Sequence, residues 1–258
     1  MRVLLLVLGL LLVGTPVAHA HAGGLTPQNH LSAVTSVDPP LSGVQVRMIN
    51  HGTQLEVRND GSAPLVIAGR TVRPGETARF RDDRTTADTW QIPLGESVVR
   101  GTTTRYDAPN ALMWLLITVA VAALGVFLGR GLAWLAVATV LVTAANVAHA
   151  LGSTMVVTGG SFLPLFVGAS GVGLVCWPLA VLCAGAAVAR KPATAFVAAT
   201  VGAMLVVASI PDFDSFRFAQ LPFAGSADLD RALVAITLGG GLALAVGGFS
   251  WMRRETAA

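Results

Sequence analysis

The sequence predicts an α-helical membrane bundle of five transmembrane helices, preceded by a small all-β, sandwich-like extracytoplasmic domain. Residues 111–210 carry only three charges, all basic, and no carboxylate. Such a stretch is typical of membrane spans and not of a water-soluble core. Hydrophobic residues make up 53% of the chain, as in an integral membrane protein. Residues 32–100, by contrast, alternate between apolar and polar side chains, which indicates half-buried strands.

The chain begins with a pattern typical of a secretory signal peptide, predicted over residues 1–20. One basic residue precedes the apolar run Val3–Val13, and small residues lead up to Ala20. Cleavage after Ala20 makes His21 the new N-terminus. Cleavage after Ala22 also satisfies the small-residue rule, and the sequence leaves both sites open.

Residues 21–110 are predicted to form the β domain and its linker. The turn signals Asn50-His51-Gly52, Asn59-Asp60-Gly61 and Pro74-Gly75 divide residues 44–80 into short strands. Regular turns of this kind predict a small antiparallel sandwich. The strands around Val72 and Thr77–Phe80 are expected to pair across Pro74-Gly75. At about seventy residues the domain is near the lower size limit for an independent core, so we expect it to lean on the membrane domain or a partner.

The end of the β domain is predicted to hold one last edge strand, formed by Ile92–Leu94 and Val98–Val99. The segment Gly101–Asn110, with three threonines, is expected to be the linker into the bilayer. Residues 21–110 carry nine arginines and nine acidic residues, so the exported part is neutral. This balance gives no signal for nucleic-acid binding.

Five apolar segments in residues 111–258 are predicted to cross the bilayer, since each reaches roughly the twenty residues that hydrocarbon requires. They are Ala111–Gly129, Gly131–Gly152, Phe162–Ala189, Ala193–Ile210 and Ala232–Trp251. The third is long and contains Pro178, so a tilt or a kink is expected there.

The charges at the ends of these segments predict their orientation. A signal peptide places the β domain outside, and Arg130, Arg190-Lys191 and Arg253-Arg254 then all fall inside. This distribution satisfies the positive-inside rule at each cytoplasmic position. The sequence therefore predicts a multi-pass plasma-membrane protein with an extracytoplasmic β domain and a cytoplasmic C-terminus.

Five short motifs are spread over most of the chain. They are His21–Pro27, Val37–Pro40, Asn59–Gly61, Arg79–Arg84 and Gln220–Phe223. Together they resemble a family of uncharacterised actinobacterial multi-span membrane proteins. The resemblance implies an exported β domain on a multi-span anchor, with no assigned activity. In the family, the segment that corresponds to Arg79–Trp90 is longer and richer in histidine. Here it contains Asp82, Asp83 and Asp88 and no histidine, which weakens any metal role for it.

The first functional hypothesis is a copper site in the β domain. An N-terminal His21 offers an amino group and a ring nitrogen, an arrangement that loosely resembles copper-resistance periplasmic proteins and implies Cu(II) binding. His30, His51 and Met48 are the other imidazole or thioether donors of the exported part. Against the hypothesis, His51 lies in a predicted turn and Met48 faces the core by its alternation.

A second hypothesis concerns polar residues within the predicted spans. His149 is the only ionisable residue well inside a non-terminal span, and Asn146 shares its helix face. The segment Gly168–Gly171 resembles the Gly-x-Ser-Gly segment of rhomboid intramembrane proteases, which implies Ser170 as nucleophile and His149 as its base. The order of histidine and serine is reversed and the spans are too few, so hydrogen bonds across helices are the plainer interpretation for Asn146 and His149.

The predicted outer loop contains the segment Pro211–Phe218, in which aromatic residues alternate with charges. Such composition is typical of a segment at the membrane interface. Asp212 and Asp214 are expected to cover His149, because both loops face the outer side. As paired carboxylates they can also coordinate a cation or form ion pairs, for instance with Arg217, and the ion pair is the plainer interpretation.

These features predict a non-enzymatic envelope protein that presents its β domain to a partner protein or to a ligand such as copper. An accessory subunit of a membrane transporter is the alternative, and an intramembrane serine protease is a third. The lipid bilayer is the partner that the composition itself implies, and no nucleic acid is expected.

Overall fold

The computed structural model describes residues 22–128 and 131–255, in which a β domain is followed by a helical bundle. The predicted signal peptide, His21 and Arg130 lie outside the described residues. The predicted order of a β region followed by apolar helices is confirmed.

The β domain is a sandwich of a five-stranded and a three-stranded sheet. The larger sheet has the order β1-β8-β7-β4-β5; its strands are β1 (His30–Asp38), β4 (Leu65–Ile67), β5 (Arg70–Val72), β7 (Thr89–Leu94) and β8 (Ser97–Arg105). The smaller sheet has the order β2-β3-β6; its strands are β2 (Val44–Ile49), β3 (Gln54–Asn59) and β6 (Thr77–Phe80). Neighbouring strands are antiparallel throughout.

The core of the sandwich is built from the inward-facing residues of both sheets. Leu55 and Val57 of β3 and Ile92 of β7 are fully buried there. The ring of Trp90 lies against Gly101 of β8, where an added Cβ would overlap the indole. The alternation read from the sequence therefore assigns the faces of the strands correctly, and glycine at 101 admits the tryptophan.

Three details predicted for the β domain are wrong. β5 and β6 do not pair across Pro74-Gly75, because β5 pairs with β4 and β6 with β3. Residues 89–105 form two strands inside the larger sheet and not one edge strand. Residues 101–105 belong to β8, so the linker is shorter than expected. Alternation along a chain shows which face of a strand is buried but not which strand lies beside it.

Six helices of the described residues form the bundle. They are α1 (Ala111–Leu128), α2 (Leu132–Met155), α3 (Phe162–Ser170), α4 (Gly173–Val188), α5 (Ala193–Ser209) and α6 (Ala227–Glu255). Within the described residues, α1, α2 and α6 are long and apolar enough to cross a membrane, and α3 with α4 adds a fourth if the pair is one span. α5 is apolar but shorter, at 17 residues. These helices indicate a membrane protein.

The bend in the predicted third span lies at Gly171 and not at Pro178. α3 and α4 meet there at 77°, and Gly171 has φ 45° and ψ −118°. A positive φ of this kind favours glycine, so the chain turns where glycine permits it. Pro178 lies within α4 and does not end the helix.

α6 packs against α1, α2 and α5. Glycines bring the backbones close: a Cβ on Gly202 of α5 would lie 2.5 Å from the carbonyl oxygen of Gly241 on α6. On the other face of α6, a Cβ on Gly239 would overlap the carbonyl oxygen of Thr118 on α1. Small residues at such contacts are the usual means of close helix packing in membranes.

The two ends of the bundle differ in charge. One end of the bundle lies beside the β domain, and we call it the β-domain end. The helices α1, α3 and α6 begin there, and α2 and α5 end there. The opposite end carries Arg190, Lys191, Arg253 and Arg254.

Candidate functional site: a buried histidine between two aspartates

A buried histidine, His149, lies between two aspartates at the β-domain end of the bundle. Its Nδ1 is 2.8 Å from Oδ1 of Asp230, and its Nε2 is 3.3 Å from Oδ1 of Asp212. The side chains of all three residues are no more than 8% exposed. We call these three residues the Asp-His-Asp cluster.

Three separate elements position the cluster. His149 lies in the last third of α2, Asp230 in the first turn of α6, and Asp212 in the 3-10 helix Pro211–Phe216. An aspartate in the first turn of a helix is favoured by the exposed backbone N–H groups and the helix dipole there. The cluster therefore joins two helices and a loop that are far apart in the sequence.

The geometry of the ring indicates how it is protonated. A neutral imidazole has one N–H group and one lone pair, and a lone pair directed at a carboxylate oxygen is repelled by it. Nδ1 of His149 lies at hydrogen-bonding distance from Asp230 and Nε2 makes a longer contact with Asp212, and an imidazolium is the form of the ring that presents no lone pair to either carboxylate. With the buried guanidinium of Arg231, the charges of Asp212, Asp230 and His149 then sum to zero, which limits the cost of burying them.

Arg231 and Ser215 extend the cluster into the segment between α5 and α6, residues 210–226, which we call the cap segment. Ser215 Oγ donates to Asp230 Oδ2 at 2.8 Å. Arg231 Nε donates to the carbonyl oxygen of Ser215 at 3.0 Å, and Nη2 donates to that of Phe218 at 2.7 Å. The first turn of α6 thus binds the cap segment at several points.

Phe223 covers the histidine from the cap segment. The rings of Phe223 and His149 stack with their centroids 6.3 Å apart and an interplanar angle of 14°. The N–H of Ala224 donates to the carbonyl oxygen of Gly152 at 2.9 Å, and a Cβ on Gly152 would overlap the Phe223 ring. The glycine therefore lets the cap segment lie directly against α2.

The same cap segment binds the β domain. Gln28 and Gln220 exchange backbone hydrogen bonds of 3.0 and 2.8 Å. The N–H of Ala219 donates to Oδ1 of Asn29 at 2.7 Å, while the carbonyl oxygen of Ala219 accepts from Arg231 at 3.3 Å. A continuous set of hydrogen bonds thus leads from the Asp-His-Asp cluster to the start of the β domain.

A second contact joins the β domain to the loop between α2 and α3. The N–H of Thr158 donates to Oδ1 of Asn50 at 2.9 Å, and Arg79 Nη1 donates to the carbonyl oxygen of Gly159 at 3.1 Å. Arg79 also forms an ion pair with buried Glu56, with 2.7 Å between Nε and Oε2. The β domain is therefore fixed to the bundle at two places.

Glu56 predicts a loss of stability in acid. Burial raises the pKa of this carboxyl, but hydrogen bonds from Arg79 and Arg47 outweigh burial, and the net pKa lies below the ordinary value of 4.5. Because the pKa is lower in the folded chain than in the unfolded chain, the stabilisation is present above about pH 4.5 and is lost as the pH falls through the folded-state value. We expect the thermal-unfolding midpoint of the detergent-solubilised protein to decrease as the pH is lowered below about 4.5.

The matched variants are Glu56→Gln and Glu96→Gln. Glu56→Gln should destabilise the protein near neutral pH and flatten its decline in acid, whereas exposed Glu96→Gln should follow the wild type. An unchanged acid decline in Glu56→Gln would contradict this assignment.

No known protein family, curated protein or solved structure matches the chain. The resemblance to an actinobacterial membrane family therefore stays a prediction.

The donors of the copper hypothesis are not gathered by the described part of the chain. His30 begins β1, His51 lies in the β2–β3 turn with φ 54°, and Met48 packs against the sandwich core. Burial lowers the pKa of both histidines, and nearby Arg105 lowers that of His30 further. Within residues 22–128 and 131–255, no group of three or more His, Cys, Asp or Glu residues could hold a metal ion. His21 lies outside the described residues, and copper binding there stays a prediction.

The polar residues predicted within the spans have different partners. Trp177 Nε1 donates to Oδ1 of Asn146 at 3.1 Å, across α2 and α4. Ser170 Oγ donates to the carbonyl oxygen of Phe166 at 2.6 Å, within its own helix. His149 is paired with carboxylates, whereas the protease hypothesis requires it beside Ser170.

The two aspartates predicted in the outer loop also differ. Asp212 lies beside His149, whereas Asp214 is half exposed and forms a 3.7 Å ion pair with Arg217. Sequence reasoning missed Asp230, because it placed the start of the last span at Ala232 whereas α6 begins at Ala227. The sequence does carry a signal for Asp230. This residue lies one helical turn before apolar Val234, so the two share a face of the helix.

Proposed function

We propose that the chain is a non-enzymatic, five-pass envelope membrane protein whose bundle holds the β domain in a fixed orientation for binding a partner protein or ligand. The observation that carries the proposal is the hydrogen-bonded path from the Asp-His-Asp cluster through the cap segment to Gln28 and Asn29. A domain joined by a short linker alone would change its orientation freely. Two separate contacts restrict that freedom, as a presenting platform requires.

The charge distribution supports an outward-facing β domain. The end of the bundle opposite the β domain is basic, with Arg190-Lys191 and Arg253-Arg254, whereas the β-domain end carries several aspartates. The positive-inside rule assigns the basic end to the cytoplasm. This orientation agrees with a signal peptide at residues 1–20 and with a plasma-membrane location.

The helix lengths support five crossings if the bent pair α3–α4 acts as one span. α5, at 17 residues, rises by about 25 Å, close to the roughly 30 Å of a hydrocarbon layer. Five crossings also put the start of α1 and the end of α6 on opposite sides of the membrane.

Thiol labelling tests this topology, because Cys176 and Cys183 are both buried and give a low background. Val66→Cys places a thiol on an exposed site of β4, and Lys191→Cys places one at the opposite end of the bundle. A membrane-impermeant maleimide should label Val66→Cys in intact spheroplasts, and Lys191→Cys only after permeabilisation. The reverse pattern would overturn the proposed orientation.

A transporter subunit is the second candidate, and the buried Asp-His-Asp cluster favours it. Ionisable residues within spans commonly mark ion or proton paths. Asn146→Ala removes the acceptor of Trp177 but leaves the cluster intact. Reduced solute uptake by membrane vesicles, with an unchanged unfolding midpoint, would favour transport over presentation.

A further inference from the structure

A groove between α1 and α6 opens at the end of the bundle opposite the β domain. Its volume is about 260 Å³. Residues lining it include Ala123 and Phe127 on α1 and Gly247, Ser250, Trp251 and Arg254 on α6.

We propose that this groove binds one anionic phospholipid, with the phosphate at Arg254 and an acyl chain along Ala123 and Phe127. The site is separate from the Asp-His-Asp cluster and from the contacts that hold the β domain.

The order of side chains along α6 matches that of a phospholipid. Gly247, Trp251 and Arg254 are spaced three and four residues apart and share one helix face, and Ser250 lies beside them. Along this face the wall changes from a small apolar residue, through an indole and a hydroxyl, to a guanidinium. Tryptophan favours the headgroup level of a membrane, and the planar guanidinium can bind a phosphate through two hydrogen bonds.

The charge of this end of the bundle selects an anionic lipid over the other occupants. Arg253 lies next to Arg254, and Arg190 and Lys191 add to the basic surface, which Glu255 offsets only in part. Basic sites between helices at such a surface attract anionic headgroups. A second copy of the chain, packed symmetrically in the groove, would bring the basic ends of two α6 helices together and is disfavoured for that reason.

Native mass spectrometry of the delipidated full chain tests the proposal, with phosphatidylglycerol and phosphatidylcholine as probes. One phosphatidylglycerol should be retained with about fivefold preference, the size expected from about 1 kcal/mol for one arginine at a membrane surface. Arg254→Ala should abolish the preference. Arg190→Ala, at the same membrane surface but outside the groove, should keep it.

A second variant tests the groove itself. Ala123 is exposed, so Ala123→Phe should fill the groove without disturbing the bundle and reduce retention of both lipids. Equal retention of the two lipids by the wild type, or an equal loss in Arg190→Ala, would overturn the proposal. So would a dimer that Ala123→Phe dissociates, because the groove would then hold a second copy of the chain.

Discussion

Replacing Asp230 with alanine is expected to lower the free energy of unfolding by about 3–5 kcal/mol, as is found when one partner of a buried ion pair is removed. The carboxylate is fully buried and accepts hydrogen bonds from both His149 and Ser215. Without it, the His149 ring loses the shorter of its two contacts with carboxylates, and the Ser215 hydroxyl loses its acceptor. Denaturant titration of the detergent-solubilised protein measures the loss.

Two control variants separate charge from shape. Asp230→Asn keeps an oxygen that can accept from Nδ1 of His149 but removes the negative charge, so its loss should be smaller. Asp228→Ala removes the ion-pair partner of Arg231. Because the Asp228 side chain is 80% exposed, this change should cost no more than about 1 kcal/mol. If Asp228→Ala and Asp230→Ala cost the same, the buried Asp-His-Asp cluster does not stabilise the bundle more than an exposed ion pair does.

The same variant tests the coupling to the β domain. Because Arg231 and Asp230 both bind the cap segment, releasing Asp230 should loosen the backbone pairing between Gln28 and Gln220. Hydrogen–deuterium exchange should therefore rise at these two glutamines in Asp230→Ala and stay unchanged in Asp228→Ala. Increased exchange confined to α2 would contradict the path through the cap segment.

The sequence predicted those parts of the β domain that depend on local patterns. The alternation over Val44–Met48 and the turn at Asn50–Gly52 are properties of neighbouring residues, and the structure has both. The pairing of β5 with β4 was not predictable in this way. It depends on how two complete sheets cover each other, and a short strand carries no record of its partner.

The candidate site was predictable in part for a similar reason. His149 stands out because ionisable residues are rare inside apolar helices, and Asp212 lies in a loop on the same predicted side. Asp230 and Ser215 do not stand out, since acidic and hydroxyl side chains are common in loops. Only the early start of α6 and the position of the 3-10 helix bring them to the histidine.

The second large effect is expected at the contact between α5 and α6, where Gly202→Leu should destabilise the bundle by about 3 kcal/mol, the upper range for overpacking a well-packed core. A Cβ at this position would lie 2.5 Å from the carbonyl oxygen of Gly241 and 2.7 Å from the amide nitrogen of Ala245. Both are backbone atoms, so no side-chain rotation relieves the overlap and the helices must separate. Denaturant titration against the wild type measures the effect.

Gly185→Leu is the matched control, because Gly185 lies within α4 and a Cβ there meets nothing within 4 Å. The same residue type is introduced into a helix of the same bundle, so helix propensity and added hydrophobic volume are matched. Because leucine is a better helix former than glycine, propensity should favour both variants, and equal stability losses would show that the contact with Gly241 is not the cause. A loss confined to Gly202→Leu would show that close backbone contact holds α5 against α6. The same contact would then help to position Asp230, which lies in the first turn of α6.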